Sequence, residues 1–574
     1  MHADASASWW VWWPVNGAAR VFDFAASSHR RASVLLVVLS LFAFVPGSFR
    51  IPPIDRDEAR FAQATKQMIE SGDYIDIRFQ DEERYNKPVG IYWLQAAVVK
   101  AAEMLRFPEA RTTIGLYRIP SLGAAIAAVL AIYWCALAFV SRRGAILAAV
   151  MMAGSVLLGV EARLATADVV LLVAVIAAMA ALARVYLLRP EAAGTARVGW
   201  TIPAVFWTAL AAGILLKGPV IVMIVGLAAA TLTVIDRSAR WLKALGPLAG
   251  LCWLAVLTLP WFVAIYARSG NAFFVDAIGH DMLKKVATVQ AAHHALPGLY
   301  FILFFVTFFP AAMLAGPAAP AVWTTRREPA TRFLLAWLVP SWLVFELITT
   351  KLPHYVLPLY PAIAILIAGT VERKMLSPRR WLNSGAAWWC LGPVILSIAA
   401  VAGTVVIAGD FAVSAWPFFA AAIVVGLTAW RSYDDGVAPA LLRATAAMLL
   451  VAAGVYTFIV PALGPLFPSV MLADATRSSG CARPLVVSAG YEVPSLVFLA
   501  GTATQFADGA AAADFLHEGH CRLALVEAHE QQTFASRAQA IGLRYDRLRS
   551  VEGIDYTSGE RVDIAVFRSA QDAP

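Results

Sequence analysis

The sequence predicts a polytopic α-helical membrane protein that ends in a small α/β domain. Three observations predict it. Hydrophobic residues make up 60% of 574 and charged residues only 15%, whereas a soluble domain carries about a quarter charged; mean hydropathy is +0.68. Apolar runs of spanning length recur, at 120–140, 169–188, 245–266 and 383–408 among others, and about 20 such residues cross a bilayer. From about residue 461 the pattern changes. RPLVVSAGY, SLVFLAG, CRLALVEA and VDIAVFRS read as short β-rich runs separated by helical Ala-, Glu- and Gln-rich stretches, the alternation of an α/β unit.

Taken in order, the N-terminal WWVWWPV is too short to span and rich in interfacial Trp, which predicts an amphipathic surface segment rather than a cleavable signal. Spans are expected at about 33–48, 118–140, 144–160, 169–188, 201–216, 219–235, 245–266, 298–318, 333–348, 356–370, 385–408, 415–430 and 441–460, about thirteen in all. Basic clusters such as Arg30–Arg31, Arg142–Arg143, Arg237 with Arg240 and Lys243, and Arg373–Lys374 fall in alternate loops, as the positive-inside rule requires. The net charge of +8 therefore mostly encodes topology. Nucleic-acid binding, which needs one contiguous basic face, is disfavoured.

The expected organisation is a cytoplasmic or interfacial N-terminus (1–32), a transmembrane domain (33–460) whose largest outer loops are 49–117 and 267–297, and an outer α/β domain (461–574). No G-x-G-x-x-G or Walker sequence occurs, which disfavours an ATP-driven pump. Cys135, Cys252 and Cys390 fall in apolar spans, as packing residues would. Cys481 and Cys521 share the C-terminal region and can pair if it lies outside the cytoplasm.

The chemistry-bearing residues collect in the outer loops. In IDRDEARFAQATKQMI, residues 54–69, Asp57, Glu58 and Arg60 open a helix whose apolar face, Phe61, Ala64 and Met68, is expected to lie flat on the membrane. Acids in a first turn complement the helix dipole, which accounts for one or two of them. RYNKPVGIYW places Arg84, Tyr85, Asn86 and Lys87 before another apolar stretch. Lys87 is there either to snorkel toward water or to hold a phosphate. In VEARLATADVVLL, Asp168 borders hydrocarbon, where a bare carboxylate is costly; its partner is Arg163, or it shares a cavity with Asp57. GHDMLKKVATVQAAHHALPG adds His280, Asp281, Lys284, Lys285, His293 and His294, and TTKLPHYVLPLYPA adds Lys351, His354 and Tyr355. The histidines permit a metal, but no spacing is diagnostic. Basic residues converging at outer membrane depth suit a lipid-linked phosphate.

In this order DEARFA, YNKPVGIYW, EARLATAD, GHDMLKK and TKLPHYVLPLYPA resemble the GT-C lipid-linked glycosyltransferases. Within them the chain is most similar to the aminoarabinose transferase (ArnT)/dolichyl-phosphate-mannose mannosyltransferase-like group, over about residues 33–460, with an outer domain following as in ArnT. The resemblance implies that Asp57 acts as base or orients the acceptor, with Glu58 beside it and Asp168 as a further catalytic acid. It implies that Lys87 grips the polyprenyl phosphate of the donor, helped by Arg60, Lys284, Lys285, His354 and Tyr355. Tyr85, Asn86, His280 and Lys351 would line the substrates. ArnT enzymes carry Glu immediately before the Lys, whereas this chain has Asn86, so a hexose or uronic acid competes with aminoarabinose as the sugar.

The function so implied is inverting transfer of a sugar from undecaprenyl phosphate to lipid A or another envelope glycan. It would occur on the periplasmic face of a bacterial inner membrane, by a monomer among membrane lipids that needs no cofactor and no metal. A transporter or flippase of polyprenyl-linked lipids would share the basic cavity but more usually shows internal repeats or broken mid-membrane helices. A non-catalytic assembly factor would not need Asp57 and Lys87 together.

Overall fold

The computed structural model describes residues 20–55, 57–188, 199–276, 296–481 and 483–570. Among them, eight helices are long and apolar enough to cross a membrane: Ile114–Ala136, Asp168–Leu187, Pro247–Ser269, Pro329–Leu347, Pro353–Glu372, Ser384–Ala408, Val413–Arg431 and Val437–Ala462. Each coincides with an expected span. A ninth consists of two helices, Leu299–Thr307 and Ala311–Thr324, bent by 115°. Thr201–Lys217 and Val220–Asp236 are shorter apolar helices. The remaining two expected spans fall on His29–Phe44, of 16 residues, and Arg142–Ala153, of 12 residues. The second stops at Gly154, and Ser155 then caps the short helix Val156–Glu161. The WWVWWPV segment lies outside the described residues.

Four helices position the site, and we label them α1 (Asp57–Ser71), α2 (Gly90–Met104), α3 (Asp168–Leu187) and α4 (Thr201–Lys217). The face of α1 that carries Ala59, Phe61, Ala62, Ala64, Met68 and Ile69 is buried. It packs between α2 and the helix Pro494–Ala500 of the C-terminal region. This corrects the expectation of a helix lying on lipid: the apolar stripe is covered by protein. Gly90 opens α2 where a Cβ would stand 2.7 Å from the Leu215 carbonyl oxygen. Only glycine lets the 84–90 segment come this close to the end of α4.

A hairpin of β1 (Arg78–Phe79) and β2 (Glu82–Glu83) precedes α2. The C-terminal region carries a five-stranded sheet of order β4-β3-β5-β7-β6. Strand β3 (Leu485–Ala489) runs parallel to β4 (Gln505–Ala507) and β5 (Arg522–Glu527). Strand β7 (Glu560–Ser569) is antiparallel to β5 and to β6 (Tyr545–Asp555). Of the four runs expected as strands, SLVFLAG is instead the helix Pro494–Ala500, with Pro494 at its first position and Gly501 at φ +135° after its last. A short apolar run carries too little periodicity to separate the two states. Cys481 and Cys521 form a disulfide that ties the entry of β3 to the start of β5. Cys135 is buried, but Cys252 is exposed on the bundle surface, so it is not the packing residue expected.

Candidate functional site

Asp57 is the first residue of α1 and is exposed, while Glu58 and Asp55 are fastened. Glu58 points inward and is fully buried with Arg118: Nε donates to Glu58 Oε1 and Nη2 to Oε2, each at 2.7 Å. The same carboxylate accepts the backbone N–H groups of Ile54 (2.9 Å) and Ala165 (2.8 Å). Arg118 spends its other donors on the carbonyls of Ser48, Ile51 and Pro52. On the other flank, Asp55 accepts the backbone N–H and hydroxyl of Ser495 at 2.7 and 2.8 Å. Its own N–H donates to the Tyr556 hydroxyl. Burial pushes the Asp55 carboxyl up to about 6 against the pull of Ser495. The chain on either side of Asp57 is therefore pinned by the helical bundle through Glu58 and by the C-terminal region through Asp55. Asp57 is left as the acid free to face a ligand.

A second set of side chains meets it from the turn 161–168 and two helix ends. Asp168 opens α3 and is ion-paired with Lys217, the last residue of α4. Lys217 Nζ lies 5.3 Å from the centroid of the Tyr355 ring, and the ring of His354 stands edge-on to Tyr355 at 5.1 Å. His354 Nδ1 is 3.5 Å from Glu161 Oε1, and Nε2 is 3.8 Å from Asp168 Oδ1. Lys87, half-buried, lies close enough for its charge to act on Asp168 and His354. Asp57 acts in the same way on Glu161 and His354. Burial, followed by the Asp168 charge, pushes the Glu161 carboxyl well above the usual carboxylate range. Glu161, Asp168 and His354 also present ligand atoms within 4.8 Å of one another.

Of the residues singled out from sequence, Asp57, Lys87, Asp168, His354 and Tyr355 come together. Several others do not. Glu58 is committed to Arg118, which leaves it no lone pair facing a ligand. The Tyr85 hydroxyl donates to Asp76 Oδ1 at 2.8 Å, and its ring packs edge-on against Phe273. Arg60 is exposed, and its charge acts on Asp55. Asn86 is exposed, and Lys351 is buried with Nζ donating to the Ile348 carbonyl at 2.8 Å. Arg163 is not the partner of Asp168: it donates to the carbonyls of Pro46 and Ala43 and lies over the Tyr456 ring. His280, Lys284 and Lys285, with Asp281, His293 and His294, lie outside the described residues.

Lys217 was not singled out as a site residue. The signal for Lys217 was present, a lone lysine in Lys217-Gly218-Pro219 between two apolar runs. Its partner, however, stands 49 residues earlier.

No family profile matches the chain. It is 28% identical over 448 residues, 76% of its length and 77% of the relative's, to the undecaprenyl phosphate-α-4-amino-4-deoxy-L-arabinose arabinosyl transferase of Pseudomonas aeruginosa. It is 25% identical over 365 residues to the protein of that name from Pectobacterium atrosepticum, where the match spans 62% of each chain. Among solved structures, ArnT from Cupriavidus metallidurans bound to undecaprenyl phosphate superposes with a TM-score of 0.73 at 18% identity, covering 95% of this chain and all of that one. The apo form of that protein gives 0.71 at 19% identity. The chain has the GT-C fold of ArnT. In this ArnT-like frame, the ends of α1, α3 and α4 meet the loop that carries His354. Two lysines, a histidine and three carboxylates thus lie within reach of one another's charge.

Proposed function

We propose that the chain is an inverting glycosyltransferase that moves a sugar from an undecaprenyl phosphate donor to an acceptor at the periplasmic face of a bacterial inner membrane. The observation that carries this reading is the meeting of Lys87 and the Lys217–Asp168 pair with the exposed carboxylate of Asp57. An acceptor oxygen attacks the anomeric carbon as the bond from that carbon to the phosphate oxygen breaks. The departing polyprenyl phosphate takes the bonding electrons, and Lys87 and Lys217 stabilise its charge. A hydroxyl acceptor gives its proton to Asp57; an acceptor already ionised is only oriented by it. Displacement from the opposite face inverts the anomeric centre.

The names of the relatives support aminoarabinose as the sugar. Asn86, standing where ArnT enzymes carry Glu, supports a neutral or acidic sugar instead. Lipid A or another envelope glycan is the acceptor in this reading. The basic clusters favour a cytoplasmic location for the opposite end of the bundle, and the Cys481–Cys521 disulfide fits an oxidising compartment for the C-terminal region. The step as drawn needs no cofactor. The Lys217 ammonium on Asp168 supplies the positive charge that a metal would bring there. The chain acts as a monomer, with 1–32, 33–460 and 461–574 as its three parts.

The test is mass spectrometry of lipid A and envelope glycans from cells lacking the protein, complemented with wild type, Asp57→Asn or Lys87→Ala. Loss of one sugar, restored by wild type alone, is expected. Full restoration by both variants would sink this site, and sugar-charged undecaprenyl phosphate accumulating with no glycan change would favour a flippase.

A further inference from the structure

Arg84 has no role in the site as described so far, yet it is built like a binding group. Its side chain is only 9% exposed, and the guanidinium carbon lies 5.1 Å from the centroid of the Phe61 ring. Nε finds no hydrogen-bond partner, and no carboxylate pairs with the guanidinium among the described residues. Tyr92 is fully buried, its ring 5.5 Å from that of Phe61, and its hydroxyl lies beside the Arg84 guanidinium. The charges of both Arg84 and Asp57 bear on that hydroxyl. The backbone around Arg84 is fixed, because its N–H donates to the Ile77 carbonyl at 2.8 Å and the next residue is held through Asp76.

A guanidinium taken out of water without a charged acceptor is costly. Stacking on one aromatic ring returns only part of that cost and leaves Nε without an acceptor. The planar fork of donors matches two oxygens of a phosphate or a carboxylate. We infer that Arg84, seated on Phe61 with the Tyr92 hydroxyl beside it, is a substrate-binding residue that receives an oxyanion carried by the acceptor. The acceptor is chosen over the donor because Arg84 shares Tyr92 with Asp57, the group that orients the acceptor, whereas Lys87 bears on Asp168 and His354. This assignment rests on the transfer reading above.

Two probes separate the possibilities in the full chain held in lipid nanodiscs: inorganic phosphate and undecaprenyl phosphate. Phosphate is titrated by thermal protection in the Lys87→Ala background, which weakens the donor-side site that Lys87 shares with Lys217. Adding Arg84→Gln is expected to weaken phosphate about tenfold, the effect of losing charged hydrogen bonds, with Arg84→Lys in between. In the otherwise wild-type chain, Arg84→Gln leaves undecaprenyl phosphate affinity unchanged, whereas Lys87→Ala lowers it. Tyr92→Phe keeps the ring on Phe61 and gives an independent reading if Arg84→Gln folds poorly; phosphate affinity falls about threefold. Unaltered phosphate affinity in both variants makes Arg84 a mere strut and overturns the inference. Loss of undecaprenyl phosphate affinity in Arg84→Gln overturns it too, by assigning the residue to the donor. A wild-type chain that ignores undecaprenyl phosphate but binds phosphate through Arg84 supports the oxyanion site and sinks the transfer reading.

Discussion

Two carboxylates in this molecule sit at the start of a helix and pair with a cation from a distant apolar segment, yet they are built for different ends. Glu58 and Arg118 are each 1% exposed. Every oxygen of the acid is bonded twice, and the arginine's remaining donors meet carbonyls. Asp168 and Lys217 are each 12% exposed and are flanked by His354, Glu161 and Lys87. A saturated pair has nothing left to offer a ligand. An unsaturated pair among other charges can exchange partners when a phosphate arrives. The comparison teaches that burial of charge marks structure when the hydrogen bonds close, and a site when they stay open.

Breaking the closed pair is expected to have the largest effect. Arg118→Leu leaves the Glu58 carboxylate buried and uncompensated, which costs about 3–5 kcal/mol and detaches the strip that holds Asp57. The detergent-solubilised protein should melt far below wild type and lose transfer with it. Normal melting with lost activity would instead make Glu58–Arg118 part of the site, against the comparison drawn here.

The open pair should show the reverse pattern. Lys217→Met removes a cation placed to meet the leaving phosphate, and a fall in kcat of about 10²–10³ is expected, as for other preorganised charge-stabilising groups. The melting temperature should move much less than in Arg118→Leu. A variant that keeps wild-type turnover would place Lys217 with the scaffold.

Sequence reading reached one side of this comparison more easily than the other. Asp57 and Asp168 were legible because each stands where an apolar run begins or ends, and a carboxylate there needs a reason. Lys87 and His354 were legible because the same loops border the same bilayer face. Arg118 was not, since it lies inside the apolar helix Ile114–Ala136 and its partner is 60 residues away. Arg163 was offered as the partner of Asp168 on proximity alone, but the turn aims it at the Ala43 and Pro46 carbonyls. The fold class was legible from composition. What covers α1 was not, because an apolar stripe looks the same whether lipid or the 77–92 segment lies over it. The number of full-length spans was blurred where Gly154 and Ser155 interrupt an apolar run.

The third prediction concerns the clamp on the other flank of Asp57, and its sign follows from burial. The Asp55 carboxyl titrates at about 6 in the fold against 3.8 for the free group. An acid whose value is raised by folding binds its proton more tightly in the native state, so stability is greatest below about 4 and falls as pH rises to about 6. The melting point of the wild-type chain should therefore drop across that window, by the equivalent of about 3 kcal/mol. Asp55→Asn, which has no charge to bury, should remove this component of the pH dependence. If both proteins kept the same slope between pH 4 and 6, Asp55 would not be the group that titrates.

The smallest effect separates resemblance from geometry at Tyr85, a residue implied to line the substrate. Its hydroxyl is already given to Asp76 and its ring to Phe273. Tyr85→Phe should therefore cost about 1 kcal/mol of stability and leave KM for both substrates within about twofold of wild type, a change well under 1 kcal/mol. A tenfold rise in KM for either substrate would show the hydroxyl turning from Asp76 to the ligand. The loop 72–89 would then belong with the open pair rather than with the closed one. Arg84, one residue earlier on that loop, makes the outcome informative. If Tyr85 stays with Asp76 while Arg84 governs anion binding, adjacent residues divide the two tasks: one holds the loop, and the other uses it.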